Sequence, residues 1–201
     1  MAVDRQRSNS AVQKILTGTM KALNRKGTQK LSVSDICAAS QVARGTFYRY
    51  FDSKDDVLRH LGRHFEEGAA EAFAKAIAAT PDPSSRVKVV MDTLTGYNAA
   101  GADLTRMFDV APEFTLSLIR DIFPNLIDLV VEALGPATHE SPLVMSGALT
   151  ERQLADLFLR SVISTLLLPG SQQDEVPAVV TALFAASPNS TEARPAAATS
   201  T

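Results

Sequence analysis

Residues 44–54 read Arg44-Gly45-Thr46-Phe47-Tyr48-Arg49-Tyr50-Phe51-Asp52-Ser53-Lys54, and their side chains suit contacts to a nucleic-acid groove and its phosphates. A guanidinium such as that of Arg44 pairs bidentately with the major-groove edge of guanine. Gly45 removes a side chain and lets the backbone approach a ligand. Thr46 offers a hydroxyl to phosphate and a methyl to thymine. Phe47 and Phe51, four apart on a helix, share one face and are expected to anchor it inward, while Arg44 and Tyr48 lie on the opposite face. Tyr50 and Lys54 suit phosphate contacts, Lys54 also because it starts a helix whose N–H dipoles favour anions. Upstream, Ser32 and Ser34 are placed to reach the sugar–phosphate backbone or a base edge. Residue chemistry alone leaves two readings open: a reader of double-stranded DNA, or an amphipathic hairpin in an all-α core with its Tyr and Arg merely solvated.

The elements that must position these groups read as helices nearly throughout. Val12, Ile15, Leu16, Met20 and Leu23 recur at helical spacing until Gly27 stops the segment. Ser32-Val33-Ser34-Asp35 predicts a capping box opening a short second helix. A third short helix begins near Ala43 or Arg44 and ends by Asp52. Ser53-Lys54-Asp55-Asp56 repeats the cap pattern and opens a long fourth helix to about Ala79. Asp82-Pro83 starts a helix to about Ala100. A short helix spans 104–110, and Pro112 opens one to Leu134 that Pro124 should kink or break. Residues 136–149 are expected to be a loop. Thr150-Glu151-Arg152-Gln153 caps an apolar helix to Leu168, and a last helix covers roughly 174–186. Residues 187–201 lack apolar anchors and are expected to be disordered.

Charge divides the chain in two. Residues 1–54 hold ten Lys and Arg against three acids, whereas the remainder holds ten against nineteen. The first part therefore carries +7 and the second −9, within an overall charge of −2. Such a split suggests a polyanion-binding module joined to a body with another task. The 45% apolar and 21% charged content is that of a globular protein. No apolar run approaches the roughly 18–20 residues of a membrane span. The N-terminus has no apolar signal-peptide core. A single cysteine, Cys37, excludes an internal disulfide framework. These features predict a cytoplasmic, soluble protein.

Residues 10–58 resemble the DNA-binding domain of the TetR (tetracycline-repressor) family of bacterial transcription regulators. The resemblance lies in Leu31-Ser32-Val33-Ser34-Asp35-Ile36-Cys37-Ala38-Ala39 and in the run from Gly45 to Leu58 that contains Thr46-Phe47-Tyr48-Arg49-Tyr50-Phe51. Three positions depart from the pattern. Gln41 stands where the turn usually carries Gly, so it must adopt an unfavourable backbone angle or the turn differs. Thr28 replaces a frequent aromatic, which predicts weaker local packing. Gly18 lies inside the first helix at a cost of about 1 kcal/mol relative to Ala. Arg5 and Arg7 are expected on a mobile tail before the first helix.

The body offers three further expectations. Apolar residues occupy more than one face of the last two helices, which suits an intersubunit contact through Leu157, Phe158, Ile163, Leu166, Val179 and Leu183; the resemblance implies a four-helix bundle between two copies. It also implies an effector pocket. The helices from 83 to 134 supply Met91, Leu94, Tyr97, Asn98, Met107, Phe108, Phe114 and Phe123 as candidate lining, although such spacing serves a plain core equally well. His60 and His64, four apart, have a metal-ligand spacing but no third ligand, and are expected to be solvated.

The expected architecture is all-α, with about nine helices. It comprises a three-helix helix-turn-helix domain over 1–54, a helical ligand-binding and dimerisation domain over 55–186, and a tail over 187–201. The function expected with it is transcriptional regulation by a homodimer bound to a palindromic operator and released by a small apolar effector, with no cofactor, no metal and no catalysis. A DNA-binding regulator without an effector and an all-α small-molecule enzyme remain as alternatives. No nucleophile–base pair, phosphate loop or carboxylate cluster supports the enzyme.

Overall fold

The computed structural model describes residues 2–96, 104–167, 180–182 and 184. The predicted loci Tyr97, Asn98, Val179 and Leu183 lie outside them, as does the 187–201 tail. The described residues form helices α1 (Ala2–Lys26), α2 (Val33–Ser40), α3 (Arg44–Tyr50) and α4 (Lys54–Ala79), then α5 (Arg86–Gly96) after a 3-10 turn at Pro83–Ser85. They continue with α6 (Leu104–Val110), α7 (Pro112–Leu134), α8 (Pro136–His139), α9 (Pro142–Met145) and α10 (Glu151–Leu167). No strand occurs among the described residues. None of their helices is long and apolar enough to cross a membrane.

The helix ends follow the capping residues. Ser53 Oγ accepts from the Asp56 N–H at 3.1 Å, and the Asp56 carboxylate accepts from the Asp52 N–H at 3.0 Å, one residue further back than a capping box predicts. Thr150 and Gln153 cap each other reciprocally, at 3.2 and 2.8 Å. Asp82 Oδ1 accepts from the Ser84 N–H at 3.1 Å above Pro83.

Four expectations change. Pro124 does not break α7, which runs unbroken from Pro112 to Leu134. The Pro124 carbonyl instead accepts from Arg152 Nη2 of α10 at 3.2 Å, and Arg152 also pairs with Asp128, so the proline turn is held from outside. The 136–149 segment is not a plain loop: Pro136 and Pro142 each start a one-turn helix, because proline at a first helical position has its φ preset and lacks no needed N–H. Arg5 and Arg7 fall within α1 and not ahead of it. Phe158 is fully buried and meets the Phe184 ring edge-on, with centroids 5.7 Å apart. Its contact is therefore with this chain's own core, whereas Leu157 beside it is 43% exposed.

One apolar core runs the length of the described molecule. Ile15, Met20, Leu23, Ile36, Phe47 and Leu61 are buried at the N-terminal end, and Met91, Met107, Val130, Leu154 and Phe158 in the body. Helix α4 passes through both. In the first it buries Val57 and Leu61, and in the second Phe65 and Phe73. At Gly62 it approaches α7 so closely that a Cβ there would stand 3.2 Å from Ile122 Cγ2 and 3.6 Å from Leu118 Cδ1. The C-terminus of α1 also touches the body, where a Cβ on Gly27 would lie 2.8 Å from the Val110 carbonyl oxygen.

Candidate nucleic-acid interface

The two short helices are held at a set angle by their turn and by α1. Gln41 takes the left-handed conformation at φ 55°, ψ 42°, the one non-glycine residue among the described positions to do so. The strain foreseen for it is real, and hydrogen bonds offset it: the N–H groups of Gln41 and Val42 both donate to the Cys37 carbonyl, the latter at 3.1 Å. The Cys37 carbonyl at the end of α2 thus gathers the N–H groups of the turn, with the Ser40 hydroxyl also donating to it at 3.4 Å. Behind the turn, Gly18 of α1 lies against Ser40; a Cβ on it would stand 2.4 Å from Ser40 Cβ and 2.5 Å from the Ser40 backbone nitrogen. The glycine that looked like a helix defect is what lets α1 and α2 meet.

At the start of α2 the capping box is complete. Ser32 Oγ accepts from the Asp35 N–H at 3.2 Å, and Asp35 Oδ2 accepts from the Ser32 N–H at 3.1 Å. Lys26 Nζ reaches Asp35 Oδ1 at 2.6 Å, tying α1 to the box. The Lys26 ammonium and the Ser32 hydroxyl stabilise the ionised carboxyl, lowering its pKa to about 2. Ser32 thus spends its hydroxyl within the box while staying on the surface.

Helix α3 rests on its aromatic side. Phe47 and Phe51 are buried, with ring centroids 5.7 Å apart, and the Phe51 ring meets His60 of α4 edge-on at 5.2 Å. On the other side Tyr48 is 55% exposed. Arg44, Gly45 and Arg49 are also exposed. Nothing lies within 4 Å of the position a Gly45 Cβ would take, so the backbone there is open to a close approach. Arg44 Nη2 donates to Ser34 Oγ of α2, joining two of the candidate residues across the motif. Thr46 and Tyr50 are half-buried at the sides of the helix. Lys54, also half-buried, donates from Nζ to the Thr28 carbonyl at 3.3 Å. Arg49 was not among the sequence candidates. Its position four residues after Gly45, on the same helix face, is the signal that would have found it.

The histidines are not simply solvated. His60 Nδ1 lies 2.9 Å from the Asp56 carbonyl, and both rings are half-buried. Burial lowers the His64 pKa against an opposing effect of Glu67. Among the described residues no three His, Cys, Asp or Glu side chains cluster as metal ligands would.

In the body, an apolar cavity of about 60 Å³ lies between α4, α5, α7 and α10. Of the described residues proposed for an effector, Leu94 alone lines it. Met91 and Met107 are buried core side chains. Phe108 is half-buried. Phe114 faces a cleft beside Lys54 and Arg59, and Phe123 a groove on α7. The cavity walls come instead from Phe65, Leu118, Ile122, Leu126, Leu159 and Val162, with others. Their apolar type at helical spacing does not distinguish a cavity wall from filled core, so periodicity could not single them out.

Comparison with known proteins bears on this arrangement. Residues 15–61 match the family model for bacterial regulatory proteins of the tetR family. The HTH-type transcriptional regulator YvdT of Bacillus subtilis is 36% identical over 53 residues, which are 26% of this chain and 27% of that protein. This match spans little more than a quarter of the relative's length. An HTH-type transcriptional regulator from the lacX 3′ region of Lactococcus lactis is 23% identical over 81% of this chain and 84% of its own. Among solved structures, the fatty acid degradation regulator FadR of Bacillus halodurans superposes with a TM-score of 0.62 at 19% identity. That superposition covers 86% of this chain and 93% of that one, and it shows that the fold is shared. The segment that carries the helix-turn-helix of α2 and α3, residues 15–61, is thus of the tetR family of bacterial regulatory proteins, and the helical body behind it shares its fold with solved regulators.

Proposed function

We propose that the chain is a transcriptional repressor that binds a palindromic operator as a homodimer and is released by a small apolar effector. The observation that carries the DNA-binding part is the two-sided character of α3. Phe47 and Phe51 are buried on one side, and Arg44, Gly45 and Tyr48 are open to the surroundings on the other. Arg44 and Tyr48 read base edges. Thr46, Tyr50 and Lys54 hold phosphates, and Ser32 and Ser34 line the backbone beside them. The +7 charge of residues 1–54 supplies the sequence-independent attraction.

Pairing of two copies sets their reading helices in successive major grooves, roughly 34–36 Å apart. Exposed Leu157 supports α10 as part of the contact, whereas half-buried Ile163 and Leu166 also wall the apolar cavity within this chain. The effector reading is supported by the apolar cavity, whose walls include Leu118 and Ile122. The same two side chains bear on α4 at Gly62. A ligand that moves them moves the helix whose first turn follows the reading motif, which changes the spacing of the two motifs.

The test is selection of bound sequences from random double-stranded DNA by the full chain, with light scattering for mass. A palindrome bound by two copies is expected. Enrichment of no sequence, or binding by a monomer to an asymmetric site, overturns the reading.

A further inference from the structure

We propose that the effector is an amphipathic anion, a hydrocarbon chain with an acidic group at one end, and that it lies across the gap between α7 and α10 with its acid on Arg120 and Arg160. The inference rests on the effector reading above and adds the ligand's chemical class and direction.

Two neighbouring spaces carry the argument. The inner one is the cavity of about 60 Å³, bounded among the described residues by side chains without a hydrogen-bonding group. A hydroxyl, amide or charge placed there has no partner among the described residues and loses its water, so hydrocarbon is what enters at no penalty. This space is well below the roughly 300–1,000 Å³ of ligand sites in general. The rest of the ligand must therefore lie elsewhere. Ile119 and Ile163, which wall the cavity, also form part of a surface groove of about 510 Å³ between α7 and α10. That groove has an apolar floor of Leu116, Phe123 and Pro124, and among the described residues its charged lining consists of Arg120 and Arg160 with no acid.

The two arginines are differently committed. Arg160 sits with Cζ 4.7 Å from the Phe123 ring centroid and gives its Nε to both oxygens of Asp156 at 3.0 Å. Its position is thus fixed, part of its charge is neutralised, and its Nη groups remain for a ligand. Arg120 is exposed and, among the described residues, has no hydrogen-bonded or charged partner. It is the principal cation for an incoming acid, and its planar fork matches a carboxylate. One ligand spanning both spaces then needs hydrocarbon at the inner end and negative charge at the outer end.

The experiment uses the full chain bound to its selected operator. Decanoate, decanol and decylamine are titrated below their micellar concentrations, with calorimetry for binding and fluorescence anisotropy of labelled DNA for release. Decanoate is expected to bind and release the DNA, with decanol at least about tenfold weaker, as loss of one charge-assisted hydrogen bond implies. R120Q is expected to keep its operator affinity and its decanol binding while losing the preference for decanoate. Equal affinity for decanoate and decanol, or an unchanged preference in R120Q, overturns the proposal and leaves an apolar effector standing. Failure of all three probes while an uncharged apolar compound releases the DNA also overturns it. If no compound of a broad apolar panel binds, the effector reading itself falls, and this inference with it.

Discussion

Gly18 of α1 and Ser40 of α2 approach until a Cβ on the glycine would stand 2.4 Å from Ser40 Cβ. This contact decides how the first helix supports the reading motif, because the next closest atoms belong to the Ser40 backbone, at 2.5 Å. A flexible side-chain end could turn aside, whereas backbone at the end of α2 cannot move without moving the turn. Gly18→Ala is therefore expected to lose about 1–2 kcal/mol of stability, the overpacking cost exceeding the propensity gain of about 1 kcal/mol. Urea denaturation followed by circular dichroism measures it. A stabilised variant would show that the contact is loose.

Gly45→Ala gives the opposite pattern. No atom lies within 4 Å of its Cβ position, so α3 accepts the methyl group and gains about 0.5–1 kcal/mol in helix propensity. The cost is expected in DNA binding, where the backbone loses its close approach. Stability and operator affinity, measured on the same preparation, should move in opposite directions.

Gln41→Gly removes the side chain from a left-handed position. A residue with a Cβ costs roughly 1–2 kcal/mol there, and glycine's greater chain entropy returns part of it. A net gain of about 1 kcal/mol is expected, a rise in melting temperature of about 2–4 °C for a chain of this size. Gln41→Val should lower the melting temperature instead. Both are read in one thermal scan, and equal values for glycine and valine would refute the strain argument.

The bond from Arg44 to Ser34 predicts a coupling. Arg44→Ala should cost about 1–3 kcal/mol in operator binding and relax preference at one position of each half-site. Ser34→Ala should weaken the same preference, and adding it to Arg44→Ala should cost little more, a non-additive cycle. Lys54→Ala should weaken every sequence alike and reduce the salt slope by about one. Additive losses from Ser34 and Arg44, or an unchanged slope for Lys54, would contradict these assignments.

Acid should loosen the motif through Asp35. The Lys26 ammonium and the Ser32 hydroxyl hold its carboxyl at about 2 in the folded chain, well below the ordinary aspartate value. A depressed folded value means that the unfolded chain takes up the proton first. The stabilising contribution is thus present above about pH 4 and is lost as the pH falls towards 2. Asp35→Asn should flatten the fall in urea midpoint across that window. An identical acid profile in the variant would place the sensitivity elsewhere.

Much of this molecule was legible in its residues, and the reason is local. Capping boxes at Ser32 and Thr150, the cap at Ser53, prolines at first helical positions and the Phe47/Phe51 spacing act within a turn or two of chain. Their outcome depends on neighbours that the sequence itself names. For Gln41 the residues left two outcomes, a left-handed residue or a different turn, and the structure shows the first. What residues far apart in the chain do to each other was decided by packing. Gly18 reads as a helix defect until Ser40 is set against it, and Phe158 reads as interface until Phe184 covers it. Leu118, Ile122 and Val162 are apolar at helical spacing, which leaves core and cavity wall alike until a space is found between them. A helical period tells which face of a helix is apolar, but only the arrangement of the other helices determines whether that face meets a side chain, a backbone or a cavity.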